Sequence, residues 1–163
     1  MNMLVLCCLF PLSLLAGQQD LEMLLKELDA VIECKDSYIL PKEKELSELR
    51  LRLKNTKNNR QKYELCDKLF TAYLHYQADS ALSYVERKQE LLPFLDEPVL
   101  EQELIINRAE VMGVMGMYSW AEQQLSQVKP GILTPELLGY YYRTMRANYG
   151  WFADYLINKD LKE

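Results

Sequence analysis

The sequence predicts an all-α protein, a short right-handed array of antiparallel helix hairpins led by one or two longer amphipathic helices. Three observations carry this prediction. Apolar residues recur at three- and four-residue steps through most of the chain, the spacing of one helix face. Polar or Gly/Pro-containing breaks cut that pattern into segments of about 14–18 residues, the length of hairpin helices joined by short turns. No stretch alternates apolar and polar residues over several positions, and no Asn-Gly or Asp-Gly pair marks a β-hairpin.

The chain opens on Met1–Gly17 (MNMLVLCCLFPLSLLAG), which has no charged side chain. Its apolar part, about Met3 to Leu15, is too short for a bilayer span of roughly 20 residues. It has the length of a secretory leader's apolar core, followed by the small residues Ala16 and Gly17. A buried N-terminal helix is the competing reading, and Pro11 in its middle opposes it. Residues 1–17 are therefore expected to be a signal peptide, which places the mature chain in the periplasm. Gln18 follows Leu15-Ala16-Gly17 where a lipoprotein would carry its acylated cysteine, so no membrane attachment is expected after cleavage.

Residues 18–60 hold the leading amphipathic helices. Leu21, Leu24, Leu25, Leu28, Val31 and Ile32 form one stripe, with Asp20 placed to cap it. Leu46, Leu49 and Leu53 follow among many charges that read as a solvated face. Pro41 is expected either to open this second helix or to kink one long helix from about 20 to 56.

Residues 61–157 hold the hairpins. Asn55–Arg60 is a polar break, and Tyr63, Leu65, Cys66, Leu69, Phe70, Tyr73 and Leu74 pattern a helix from about Gln61 to Tyr76. Asp79 is placed to cap a helix from Ser80 to Leu92, which Pro93 stops. Further helices are expected at about 98–114 and Tyr118–Val128, separated by Gly113 and Gly116. Thr134-Pro135-Glu136 restarts the pattern as a capping threonine with proline in the first turn. This helix carries Leu137, Leu138, Tyr141, Met145 and Tyr149, and a separate short apolar segment covers 151–157. The polar tail 158–163 is too short to cap an array, so the chain reads as a truncated or stand-alone form, with self-association through its C-terminal end as one consequence.

Composition excludes several functions. A formal net charge of −5 does not suit a nucleic-acid surface, which needs clustered Lys and Arg. After leader removal, Cys34 and Cys66 either pair or stay as separate half-buried thiols; the second is expected. Two cysteines and one histidine fall short of a four-ligand structural zinc site. No phosphate-binding glycine loop, Gly-x-Ser-x-Gly elbow or His-Glu-x-x-His is present, so no enzyme and no cofactor is expected. His75 is expected to have a structural or hydrogen-bonded role. Glu43/Glu45 and Glu101/Glu103 sit at i,i+2, share no helix face and read as solvated.

Gly116-x-Tyr118-x-x-Ala121 marks a tight turn between two helices, with Leu125 on the buried face of the second. Ala81 occupies the matching position of a looser copy, Asp79-Ser80-Ala81-Leu82-x-Tyr84. The motif resembles the turn of a tetratricopeptide repeat, although Ala81 and Ala121 are 40 residues apart where the repeat runs roughly 34. Leu28-Asp29, Tyr38, Lys42-Glu43, Leu46, Leu49, Tyr63, Leu69 and Tyr73, together with that copy, extend the resemblance over most of residues 20–155. On these residues the chain is similar to the N-terminal part of a family of Bacteroidetes membrane-bound regulators. In that family a periplasmic tetratricopeptide-like sensor precedes a membrane helix and a LuxR-like DNA-binding domain. The resemblance implies a non-catalytic interaction and sensor module whose partner is a protein or peptide segment, with no nucleic-acid role inside these residues. A stand-alone periplasmic adaptor or assembly protein is the alternative.

One cluster points to a ligand. Tyr140, Tyr141, Tyr142, Arg143, Arg146 and Trp151 gather aromatic and cationic groups, and Arg143 and Arg146 are spaced to share a face. Such a pair can clamp a carboxylate or a peptide terminus. The alternative is that the rings are core ridges with arginine stems laid over them.

Overall fold

The structure is a computed structural model; it describes the backbone of residues 10–160 and the side chains of residues 21–157. The leader expectation at 1–17 and the tail at 158–163 lie outside the described side chains. All regular structure among the described residues is helical: α1 (Phe10–Glu33), α2 (Asp36–Asn55), α3 (Asn59–Tyr73), α4 (Ala78–Leu91), α5 (Pro98–Val114), α6 (Tyr118–Leu125) and α7 (Pro135–Asp160), with short 3₁₀ turns at Leu92–Phe94 and Pro130–Ile132. None of these helices is long and apolar enough to cross a membrane, within the described residues.

The chain forms two compact units, residues 1–45 and 46–163, with α2 running through the boundary. In the first unit, the leading helices break at Cys34-Lys35 and not at Pro41. The Ser37 amide and hydroxyl both turn back to the Cys34 carbonyl, at 3.0 and 2.7 Å. These bonds start α2 at Asp36, so Pro41 falls inside the helix and neither opens it nor kinks a longer one. Asp20 likewise lies within α1 and does not cap it. The apolar stripe of α1, from Leu21 to Ile32, is exposed.

The second unit is built of hairpins. Asn58 caps α3 by accepting the Gln61 amide at 3.0 Å. α3 pairs with α4, α5 with α6, and α7 packs on both α5 and α6. One core cluster joins Leu46 of α2 to Leu69, Phe70 and Tyr73 of α3, Ala81 and Val85 of α4, and Leu104 and Val111 of α5. A second joins Ile106 and Ala109 of α5 to Ala121 and Leu125 of α6 and Tyr141 of α7. Ala81, Ala109 and Ala121 are fully buried, which lets neighbouring helices approach closely. α4 begins at Ala78 with Gln77 at its cap position, so Asp79 sits in the first turn instead of capping.

The chain turns sharply at Gly116. Gly116 has φ +78°, the Met117 amide bonds the Met112 carbonyl at 2.8 Å, and the Gly116 amide bonds the Gly113 carbonyl at 3.0 Å. This closes α5 with a left-handed residue that glycine adopts without steric cost. Tyr118 then meets Phe152 and Tyr155 of α7, ring centroids 5.6 and 5.9 Å away. The expected separate segment at 151–157 is therefore the continuation of α7, and it has a packing partner. Trp151 lies over Gly113, where an added Cβ would stand 3.1 Å from the indole ring. Cys34 and Cys66 are both free thiols, one exposed and one buried, where two half-buried thiols were expected.

Candidate binding groove

The first helix of each hairpin, α3 and α5, and the long helix α7 together line a groove of about 960 Å³. On α7 the lining residues Tyr140, Arg143, Ala147 and Trp151 fall at steps of three or four, which is one helix face. Arg146 joins them at the groove, whereas Tyr141, Tyr142, Thr144 and Asn148 do not line it. Tyr141 is buried in the second core cluster, as are Thr144 and Asn148 within the fold, and Tyr142 is exposed with its ring 5.1 Å from that of Tyr141. The sequence-predicted cluster is thus divided: Arg143, Arg146 and Trp151 reach the groove, Tyr141 belongs to the core, and Tyr142 does not line the groove. Of the repeat-packing residues, Ala81, Ala121 and Leu125 are buried, and Gly116 and Tyr118 form the turn described above.

The groove floor is a polar network built around Lys88 of α4. Lys88 is fully buried and reaches between α3 and α5. Its Nζ donates to Asp67 Oδ1 at 2.5 Å, Glu103 Oε1 at 2.5 Å and Asn107 Oδ1 at 2.6 Å, and stands 4.6 Å from the Tyr63 ring centroid. All three ammonium protons are used, which a buried charge requires. Asn107 Nδ2 donates to Tyr140 Oη at 2.9 Å, and Tyr140 Oη donates to Glu110 Oε2 at 2.5 Å. One connected chain of bonds therefore ties α3, α4, α5 and α7 together. Burial and then the Glu110 carboxylate hold the Tyr140 phenol far above its ordinary value, so it stays a donor. Burial likewise raises Tyr63, helped by Glu103 and Asp67.

These residues escaped the sequence reading for one reason. Glu103 looks solvated beside Glu101, yet only Glu101 is exposed, while Glu103 completes the lysine's shell. The available signal was periodicity: Lys88 continues the buried stripe Ala81, Val85, and Glu103, Asn107 and Glu110 recur at steps of four and three on α5. His75 also lines the groove, in the turn after α3.

Burial raises the Glu110 carboxyl above its ordinary 4.5, against the opposing pull of the Tyr140 hydrogen bond and of the His75 and Arg143 charges. A carboxyl raised in the folded state binds its proton more tightly there than in the unfolded chain. Its contribution to stability is therefore largest below its unfolded pKa and is lost as pH rises through the folded value. Glu110→Gln should remove this component. Urea unfolding of the wild type across pH 4 to 7, minus that of Glu110→Gln, should fall with pH; a flat difference would disprove the assignment.

Paired antiparallel helices whose first members share one groove define a helical-repeat protein-interaction module of the tetratricopeptide type. The chain belongs to the SusR N-terminal TPR domain family, whose model matches residues 32–163. Comparison with curated proteins and with solved structures gave no match.

Proposed function

We propose that the chain is the sensory module of an extracytoplasmic regulator, and that a protein segment docks in the groove with a carboxylate held between Arg143 and Arg146. Arg146 carries the reading: it lines the groove beside Trp151 and Tyr140 and has no ion-pair partner among the described residues. Arg143 stands 5.9 Å from the Tyr140 ring centroid, where a guanidinium is steadied by the ring and still presents its donors. Aromatic walls with a few placed charges are the usual make-up of a peptide groove. The leader-like residues 1–17 support the extracytoplasmic placement. In the regulators that the chain resembles, an effector follows the sensor. α7 bears the two arginines and Trp151 and also packs on α5 and α6, so a bound segment would act on the effector through this helix.

Peptides with a free C-terminal carboxylate, titrated against the fluorescence of Trp151 in a Trp120→Phe background, should bind at least tenfold more tightly than their amidated forms, since a charge-assisted hydrogen bond contributes about 1.5–3 kcal/mol. Arg146→Ala should erase that difference while leaving the helical melt unchanged. Equal affinity for both peptide forms, or an unaffected Arg146→Ala variant, would refute the clamp.

A further inference from the structure

A second cleft, of about 600 Å³, is formed by α2, α3 and α4 and shares no lining residue with the groove. Arg50 and Lys54 from α2, Lys62 from α3 and Arg87 from α4 converge on it, and Glu90 is the acid among them. Four cations against one carboxylate is a local reversal in a chain of net charge −5.

Helix ends do not account for this. Lys54, in the last turn of α2, offsets that helix's dipole, but Lys62 lies in the first turn of α3, where a positive charge is unfavourable. Lys54, Lys62 and Arg87 form no ion pair among the described residues. Their mutual repulsion, added to the positive end of α3, leaves a site that an anion would relieve.

The two arginines are also held in place. Arg50 Nη1 donates to Tyr73 Oη at 2.5 Å, and the Arg87 guanidinium stands 5.3 Å from the Tyr84 ring centroid. The Tyr73 and Tyr84 rings stack on each other, with centroids 5.6 Å apart and planes 16° from parallel. Both guanidiniums are thus fixed to one buried aromatic pair, which lowers the entropy lost when they close on a ligand. Leu53, Leu91 and Tyr84 supply apolar wall beneath the charges.

We propose that this cleft binds a small organic dianion, whose doubly charged oxyanion meets Lys62, Arg87 and Lys54 and whose apolar body rests on Tyr84, Leu53 and Leu91. The volume lies within the range of small-molecule sites, roughly 300–1,000 Å³. A phosphate monoester and a compact dicarboxylate share this chemistry, and the test separates them.

The full chain would be titrated by calorimetry with phenyl phosphate, phthalate and inorganic phosphate. Phenyl phosphate or phthalate should bind saturably and about tenfold more tightly than inorganic phosphate, and the stronger of the two names the anion class. Arg87→Gln and Lys62→Gln should each weaken binding roughly fivefold, as exposed charge-assisted contacts do, without changing the melt. Arg146→Ala should leave it unchanged, which separates this site from the groove. Added salt should weaken it further. No saturable binding below about 10 mM, or affinities untouched by both cleft variants, would overturn the proposal.

Discussion

Replacing Lys88 by methionine should destabilise the repeat unit by about 3 kcal/mol in urea unfolding. Methionine keeps much of the buried stem, so the loss isolates the ammonium. Without it, Asp67 and Glu103 face each other across the groove floor with no counter-charge, and Asn107 Oδ1 loses its donor. Removing one partner of a buried pair typically costs 3–5 kcal/mol because the other charge stays buried and unpaired. The lower end applies here, since the Asp67 and Glu103 side chains are 43% and 24% exposed and water can reach them. One further measurement fixes the cause: adding Asp67→Asn with Glu103→Gln to the Lys88→Met chain should recover most of the deficit. A Lys88→Met variant as stable as wild type would mean that the network contributes registry and not stability.

The helical class and the hairpin order were legible in the sequence because they rest on periodicity and on turn chemistry. The turn at Gly116 is the clearest case: a glycine, a tyrosine two residues on and a buried alanine three residues after that specify a left-handed closure and a close helix approach, both local properties. The breaks that went astray depend on neighbours. Pro41 is a strong helix signal, yet the Ser37 bonds to Cys34 set the boundary upstream of it. The segment at 151–157 looked unsupported because its partners, Gly113 and Tyr118, are distant in sequence.

The groove was half legible for the same reason. Arg143 and Arg146 could be placed on one face from their spacing, while Trp151, read as part of a separate segment, joins that face only because α7 runs on to Asp160. Lys88 could not be paired with Asp67 and Glu103, because charges 21 and 15 residues away meet only when α3, α4 and α5 are assembled. A lysine on an apolar stripe and a carboxylate at the matching phase of the next helix are each unremarkable alone. Their coincidence shows that the repeat unit uses its first helices both as wall and as ionic floor.

Phe70 tests whether that wall and the core are one element. It is 2% exposed within the first core cluster, and it also lines the groove, whereas its neighbour Leu69 is fully buried in the same cluster and does not. Phe70→Ala should cost about 3–5 kcal/mol and Leu69→Ala about 2–5 kcal/mol, each from lost burial plus the cavity left behind. Stability alone therefore does not distinguish them. Affinity for a groove-bound peptide does, measured at a temperature where both variants stay folded. Phe70→Ala should weaken it about tenfold, since a buried aromatic wall residue contributes roughly 1.5–3 kcal/mol of apolar contact, and Leu69→Ala should leave it near wild type. Phe70→Leu, a milder change costing under about 1.5 kcal/mol, guards against a fold too weak to assay, and should show a smaller affinity loss of the same sign. If Leu69→Ala weakens the peptide as much as Phe70→Ala, the effect is global loosening and the groove wall is not formed by α3. If only Phe70 responds, the side chain that packs the first hairpin is also the one that meets the ligand, and occupancy of the groove is coupled to the stability of the array by direct contact.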